Sequence, residues 1–235
     1  MTVKTSATSQ VLAGGGIPAT NGAGTFSLTM NKGDAAEVVG SPGDQDDLSG
    51  TLVQATHPVQ VITGEQCVFQ PEGTQACDHV EESVFPAETL GQHYFVTVPT
   101  SPNGNVVGHI VRVFGNVDGT TLTYAPSKPA GCPSSINAGQ VVDCGTVAQS
   151  FEVKGNNAFG VGSYMLGGSM VDPGNGKGDP AQSFAVAVEQ YRSAYIVLAP
   201  SDYDVSYVDI VGPTGVTVTI GVSAVSGCQA IGATG

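Results

Sequence analysis

Tryptophan is missing from this chain, and lysine plus arginine number only 7 against 20 acidic residues. The first absence weakens any reading that stacks sugar rings on an indole face. The second excludes a nucleic-acid partner, because binding a phosphate backbone requires clustered cations to displace counterions. A formal charge of −13 and a pI near 4.3 argue equally against anionic membrane surfaces. No apolar run approaches the roughly 20 residues of a transmembrane helix. The opening MTVKTSATSQ has no apolar core, so it is not a signal peptide and is expected to be the start of a mature fragment. Catalytic signatures are missing too: there is no GxSxG elbow, no phosphate-binding loop and no dinucleotide fingerprint, and Gly14 to Gly16 lead into no helix.

What is present is period-two alternation. In TFSLTMN the apolar Phe26, Leu28 and Met30 share one face, which is the signature of a half-buried strand. The same pattern runs through HYFVTVP, HIVRVFG, TTLTYAP, SFEVKG, FGVGSYM, SFAVAV, AYIVLAP, SYVDIVG and VTVTIG. Between these runs lie SPNGN, NVDGTT, DPGNGKGDP and GPTG, whose Gly, Pro, Asn and Asp supply turn geometry. The expected class is all-β, with internally repeated antiparallel sheets in a sandwich-like or propeller-like arrangement. With 40% hydrophobic residues among 235 the chain can bury a real core, and only 11% charged residues leave Thr, Ser, Asn, Gln and Gly to cover the outside.

Five cysteines carry information through their spacing. Cys67 with Cys77, and Cys132 with Cys144, each bracket a Pro- or Gly-containing turn, which predicts two local hairpin disulfides. Neither pair has the CxxC spacing of zinc or thioredoxin sites. Disulfides imply an oxidising, extracellular or cell-surface location. Cys228 is left over, unpaired or intermolecular.

A weak repeat of about 100 residues emerges when the strands are stacked. Tyr94, Val96 and Pro99 match Tyr195, Val197 and Pro200, and the closing hairpins match at Gly119 and Gly215. Likewise MNKGDAAEV…GTLVQATHPVQV at 30 to 61 matches INAGQVVDC…QSFEVKGNNAFGV at 136 to 161. The chain then reads as one all-β unit: a back half repeat at 1–66, a disulfide loop at 67–92, a full repeat at 93–171, a Gly/Pro loop at 172–180 and a front half repeat at 181–235. A half repeat leaves an open sheet edge. Either the N-terminal half closes on the C-terminal half within one molecule, or a strand from another chain completes it.

Chemistry-bearing residues crowd at one place, EQCVFQPEGTQACDHVEESVFP. Asp78, His79, Glu81 and Glu82 form a candidate interaction rim there. An ion held by Asp78, His79 and Glu82 is the competing reading, but strand alternation puts His79 and Glu82 on opposite faces. In DPGNGKGDP, Asp172, Asn175 and Asp179 are oxygen-rich enough for calcium yet lack the EF-hand spacing, so a linker is the plainer reading. No cofactor is otherwise expected. Asp44, Asp46 and Asp47 in SPGDQDD are read as a solvated loop, and Asp202 and Asp204 beside tyrosines as a contact surface or strand entry. Arg112 and Arg192 are rare cations expected to pair with nearby acids, Arg192 with Glu189.

The CDHVEE segment, the Pro86 to Gly91 step PAETLG and the EQYR segment at Glu189 to Arg192 occur in one order along residues 50 to 220. In these the chain resembles the IgGFc-binding protein N-terminal domain family, which includes many bacterial members. The resemblance implies an extracellular, non-catalytic binding or adhesion module with a protein or glycan ligand. It also implies that the sequence is clipped, with another back half after AIGATG. It carries over no Fc-contacting residue. The alternative functions are a subunit of an extracellular filament or matrix completed by a partner strand, and, as a third reading, a metal-dependent enzyme.

Overall fold

A computed structural model describes residues 1–42, 47–199, 201–203 and 205–235. Asp44, Asp46 and Asp204 lie outside the described residues. The fold is nearly all β, as the alternation predicts. The N-terminal part holds β1 (Thr2–Lys4), β2 (Gln10–Val11), β3 (Thr20–Asn21), β4 (Thr25–Ser27) and β5 (Leu52–Gln54). β1 lies between β4 and β5, so Val3 faces Phe26 on one side and Val53 on the other. Val3, Val11, Ile17 and Phe26 form a small buried cluster there.

β6 (Ile62–Val68) and β7 (Asp78–Ser83) follow as a separate antiparallel hairpin. The main sheet then takes β8 (Gly91–Val96), β9 (His109–Gly115), β10 (Thr120–Ala125), β11 (Ser135–Ile136), β12 (Val141–Val147), β13 (Phe151–Met165) and β14 (Gln182–Phe184). β13 is the organiser. Its first half pairs with β10 on one side and β8 on the other, and its second half pairs with β9 and β14. SFEVKG and FGVGSYM, read as two strands, are therefore one. The Gly155 to Asn157 turn signal is absorbed by a register shift between Lys154 and Phe159 against β8.

The main core sits where β8, β9, β10 and β13 turn the same face inward, with Tyr94, Val111, Val113, Phe151, Val153 and Phe159 buried. Tyr94 adds a polar lock: its hydroxyl donates to the Phe159 carbonyl at 2.6 Å and accepts the Gly91 N–H at 2.9 Å. Burial pushes the phenol up to about 12. Gly160 is required by close approach, because a Cβ there would strike the Phe114 ring.

Among the described residues helix is confined to Gly168–Val171 and two short 3-10 turns at Ala87–Thr89 and Val188–Gln190. Among the described residues no helix is long and apolar enough to cross a membrane. Among the described residues, 194–199 and 206–212 form no strand, and VTVTIG yields only β15 (Thr219–Ile220), which pairs with β16 (Ser223–Ala224). The reason is physical: a strand is defined by its neighbour's hydrogen bonds, and among the described residues no strand lies beside these segments. Arg192 and Glu189 also part company. The Glu189 carboxylate accepts the Gln92 N–H at 2.9 Å instead, tying the 3-10 turn to β8.

Candidate functional site

Both predicted disulfides are present, Cys67 to Cys77 and Cys132 to Cys144, and Cys228 is free and exposed. They serve different places. Cys132 and Cys144 are buried in the main core, whereas Cys67 to Cys77 closes the turn end of the β6–β7 hairpin. Three contacts hold that hairpin to the body. The Gly167 N–H donates to the Gln70 carbonyl at 2.8 Å, the Ser169 hydroxyl donates to the Gln75 carbonyl, and Gln182 Nε2 donates to Thr63 Oγ1 at 3.4 Å. At its base Phe184 joins Phe85 to Phe114, each pair of ring centroids 5.9 Å apart.

Alternation along β7 decides what the hairpin displays. Val80 is buried, so Asp78 and Glu82 share its half-buried side, while His79 and Glu81 face outward. His79 Nε2 lies 3.3 Å from Glu81 Oε2, an exposed pair worth well under about 1 kcal/mol. Asp78 accepts the His79 amide at 2.7 Å and Glu82 accepts the Ser83 amide at 3.0 Å, so both are turned to local backbone. Among the described residues no three His, Cys, Asp or Glu side chains converge to hold an ion. From 59 to 88 the chain carries six acids and neither lysine nor arginine. Beside those acids Val59, Ile62, Phe69, Val84 and Phe85 are exposed. The surface is acidic and apolar in patches.

Of the calcium candidates, Asp172 and Asn175 come together, with Nδ2 of Asn175 donating to both carboxylate oxygens at 3.2 and 3.1 Å. That hydrogen bond holds the Asp172 carboxyl below its ordinary range. The amide presents hydrogens to the carboxylate, the opposite of an oxygen cage, and no bond joins Asp179 to the pair among the described residues. Arg112 meets acids as expected, Asp47 at 2.6 Å and Asp143 at 3.2 Å.

Sequence reading missed two buried polar centres. Glu152, 2% exposed, accepts from the Ala233 N–H and the Thr234 hydroxyl at 2.6 Å each. Lys154 Nζ lies 2.5 Å and His93 Nε2 2.8 Å from its Oε1, the histidine off the line that a hydrogen bond needs. Burial raises the Glu152 pKa, but the bonds from Lys154, Thr234 and Ala233 outweigh it and bring the carboxyl down to about 2. The other centre is His109, wholly buried, whose Nδ1 is 2.6 Å from Ser163 Oγ and whose Nε2 has no partner. A serine beside an imidazole suggests a nucleophile and its base, yet no acid orients the ring. Two recesses of about 310 and 200 Å³ are not lined by His109: one lies over Cys144, the other over Tyr124 at the Glu152 centre.

Burial lowers His109 from 6.5 to about 4, so the folded state keeps it neutral while the unfolded chain takes up a proton. The associated stability is present above the unfolded value and is lost as pH falls toward the folded one. Between about pH 7.5 and about pH 5 the protein should lose roughly 2 kcal/mol of unfolding free energy, and the loss should shrink in His109→Gln. Urea titrations at the two pH values check this, and an equal slope in both proteins would remove His109 as its source.

A family model described as "IgGFc binding protein" matches residues 2–235. The chain belongs to that family. One curated relative, the human protein named IgGFc-binding protein, is 32% identical over 97 residues, which is 41% of this chain and 2% of the relative. The chain therefore spans only a small part of the length of that member of the IgGFc-binding family. No solved structure matches.

Proposed function

We propose that this IgGFc-binding family chain is a secreted or cell-surface, non-catalytic binding or adhesion module that meets a protein ligand on the β6–β7 hairpin. The single observation behind the reading is a disulfide-closed hairpin, held to the body at its base and at its turn, in a segment, 59–88, that carries six acids against neither lysine nor arginine and leaves apolar residues exposed between them. Such a surface suits a partner that is basic with apolar anchors, since complementary charge raises association rates and apolar anchors supply affinity. The disulfides favour an oxidising compartment.

The experiment is a protein and glycan array, with an immunoglobulin G Fc fragment among the probes, exposed to the wild-type domain and to a Glu81→Lys, Glu82→Lys variant. The expected result is saturable, salt-sensitive binding to a cationic protein that weakens about tenfold or more in the variant. Equal binding by both proteins overturns the hairpin assignment.

A second reading, a structural subunit completed by a partner strand, is favoured by a different observation. Residues 195–199 keep a strand's apolar sequence with no strand beside them among the described residues.

A further inference from the structure

The second reading leaves open which edge receives the strand and in what register, and the repeat supplies both. Two turns show the correspondence. The Asp34 N–H donates to the Asn31 carbonyl at 3.0 Å, the Asn31 N–H donates to Asp34 Oδ2 at 2.7 Å, and Gly33 has φ +91°. In the matching turn the Gln140 N–H donates to the Asn137 carbonyl at 3.1 Å, the Asn137 N–H donates to Gln140 Oε1 at 2.8 Å, and Gly139 has φ +75°. A left-handed glycine at the same place in both fits one shared turn.

The strands on either side agree in register. Counting back equally from Val61 and Val161 aligns Val53 with Val153; Val53 pairs with Val3, and Val153 pairs with Tyr124. Counting back from Met30 and Ile136 aligns Phe26 with Cys132. Val3 pairs with Phe26, and extending the β10–β11 ladder from Thr120 and Ile136 sets Tyr124 opposite Cys132. The Tyr124 hydroxyl donates to the adjacent Pro133 carbonyl at 2.7 Å. Both routes place Val3 on Tyr124, and a one-residue slip in either would break the match. Sheet β4–β1–β5 is thus the counterpart of β11–β10–β13.

In the complete repeat β13 has β8 on its other side, with Val153 facing Tyr94, Glu152 facing Phe95 and Phe151 facing Val96. β5 is the last strand of its sheet and pairs with no strand on that side among the described residues. The counterpart of β8 (Gly91–Val96) is 192–197, by the match of Tyr94 with Tyr195 and Val96 with Val197. Its Tyr195 and Val197 are 65% and 69% exposed, whereas Tyr94 and Val96 are 1% and 3% exposed. The same residue types are buried where the ladder is complete and bare where it is not.

Within one chain the two open elements stand apart. The N-terminal sheet is held on the β9–β12 side of β13, through Asp47 on Arg112 and through Gly50 packed against Gly139. The 195–199 segment leaves from a turn tied to β8, across β13, and its continuation is held there by Thr97 Oγ1 donating to Asp209 Oδ2 at 3.1 Å.

We infer that the outer edge of β5 receives residues 194–197 of a second copy of this chain as an antiparallel strand, Val53 facing Tyr195, Leu52 facing Ile196 and Thr51 facing Val197. The pairing covers exposed Leu52 and Ile196 on one face and sets Tyr195 over Val53 on the other, apolar cross-strand pairs of the kind that stabilise sheets. It rests on the partner-strand reading and adds the edge, the register and the identity of the partner.

The test uses single variants Val53→Cys and Tyr195→Cys, each in a Cys228→Ser background, mixed and oxidised, with light scattering on the wild-type chain. The expected result is a wild-type dimer or larger assembly, and a 53–195 disulfide, located by mass spectrometry, that forms only in the mixture. Val197→Pro, which removes a ladder donor at an exposed position, should weaken assembly about tenfold or more. A wild-type assembly whose mixed variants give no 53–195 bond overturns the register and leaves the partner-strand reading standing. A strict monomer up to the solubility limit overturns both. A Val53→Cys, Tyr195→Cys double variant that closes only on itself overturns the second copy in favour of closure within one chain.

Discussion

Replacing Cys132 with serine is expected to lower the unfolding free energy by about 4 kcal/mol and the melting temperature by roughly 10 °C. Two contributions combine. Opening a bridge with a sequence separation of 12 restores about 3 kcal/mol of chain entropy to the unfolded state. The serine hydroxyl and the abandoned Cys144 thiol are then left in a buried cluster with Ile136, Val147 and Phe151, which adds about 1 kcal/mol or more. Cys132→Ala separates the two, since it opens the bridge without adding a hydroxyl. Cys67→Ser opens a bridge of similar separation, 10, but at an exposed hairpin, so its loss should be smaller, about 2 to 3 kcal/mol. Calorimetry of the three variants checks the order, and a Cys132→Ser protein melting with the wild type would show that the bridge contributes nothing.

Phe159→Ala is the second large effect, a loss of about 3 to 5 kcal/mol. The ring is fully buried, packs edge-on to Tyr94 with centroids 4.9 Å apart, and lies against Gly155, where no Cβ intervenes. Neighbours cannot easily collapse into the space. Tyr94 is fixed by its two hydroxyl bonds, and Phe159 is where β8 and β9 both meet β13, facing Gly91 and Gly115. Phe159→Leu, which keeps most of the volume, should recover more than half of the loss. Denaturant titration measures both variants; a Phe159→Ala loss below about 1 kcal/mol would mean that the β13 bend is not packed as described.

Much of the main sheet was legible because its signals are local. HYFVTVP, HIVRVFG and TTLTYAP read as strands and each forms one, with burial alternating cleanly only in TTLTYAP. Hairpin spacing of cysteines is equally local, and both bridges formed. The division of His79 from Glu82 followed from the two-residue period. Other features depended on distant partners. Glu152 reads in sequence as a charge in a strand; its burial depends on Ala233 and Thr234, some eighty residues away, and nothing in SFEVKG foretells them. Glu189 and Arg192 are near in sequence, yet the free N–H at the start of β8 drew the carboxylate away. SFEVKG and FGVGSYM merged because a bulge absorbs residues that otherwise spell a turn.

By itself the sequence determined that this is an all-β, disulfide-closed, acidic chain, because side-chain period, turn chemistry, cysteine spacing and charge are properties of neighbouring residues. Tertiary structure decided which of its strand-competent segments became strands. Tyr94 and Tyr195 begin nearly matching segments, and one is buried in a sheet while the other lies bare. The difference is whether a neighbouring backbone offers its hydrogen bonds, and no segment carries that information within itself.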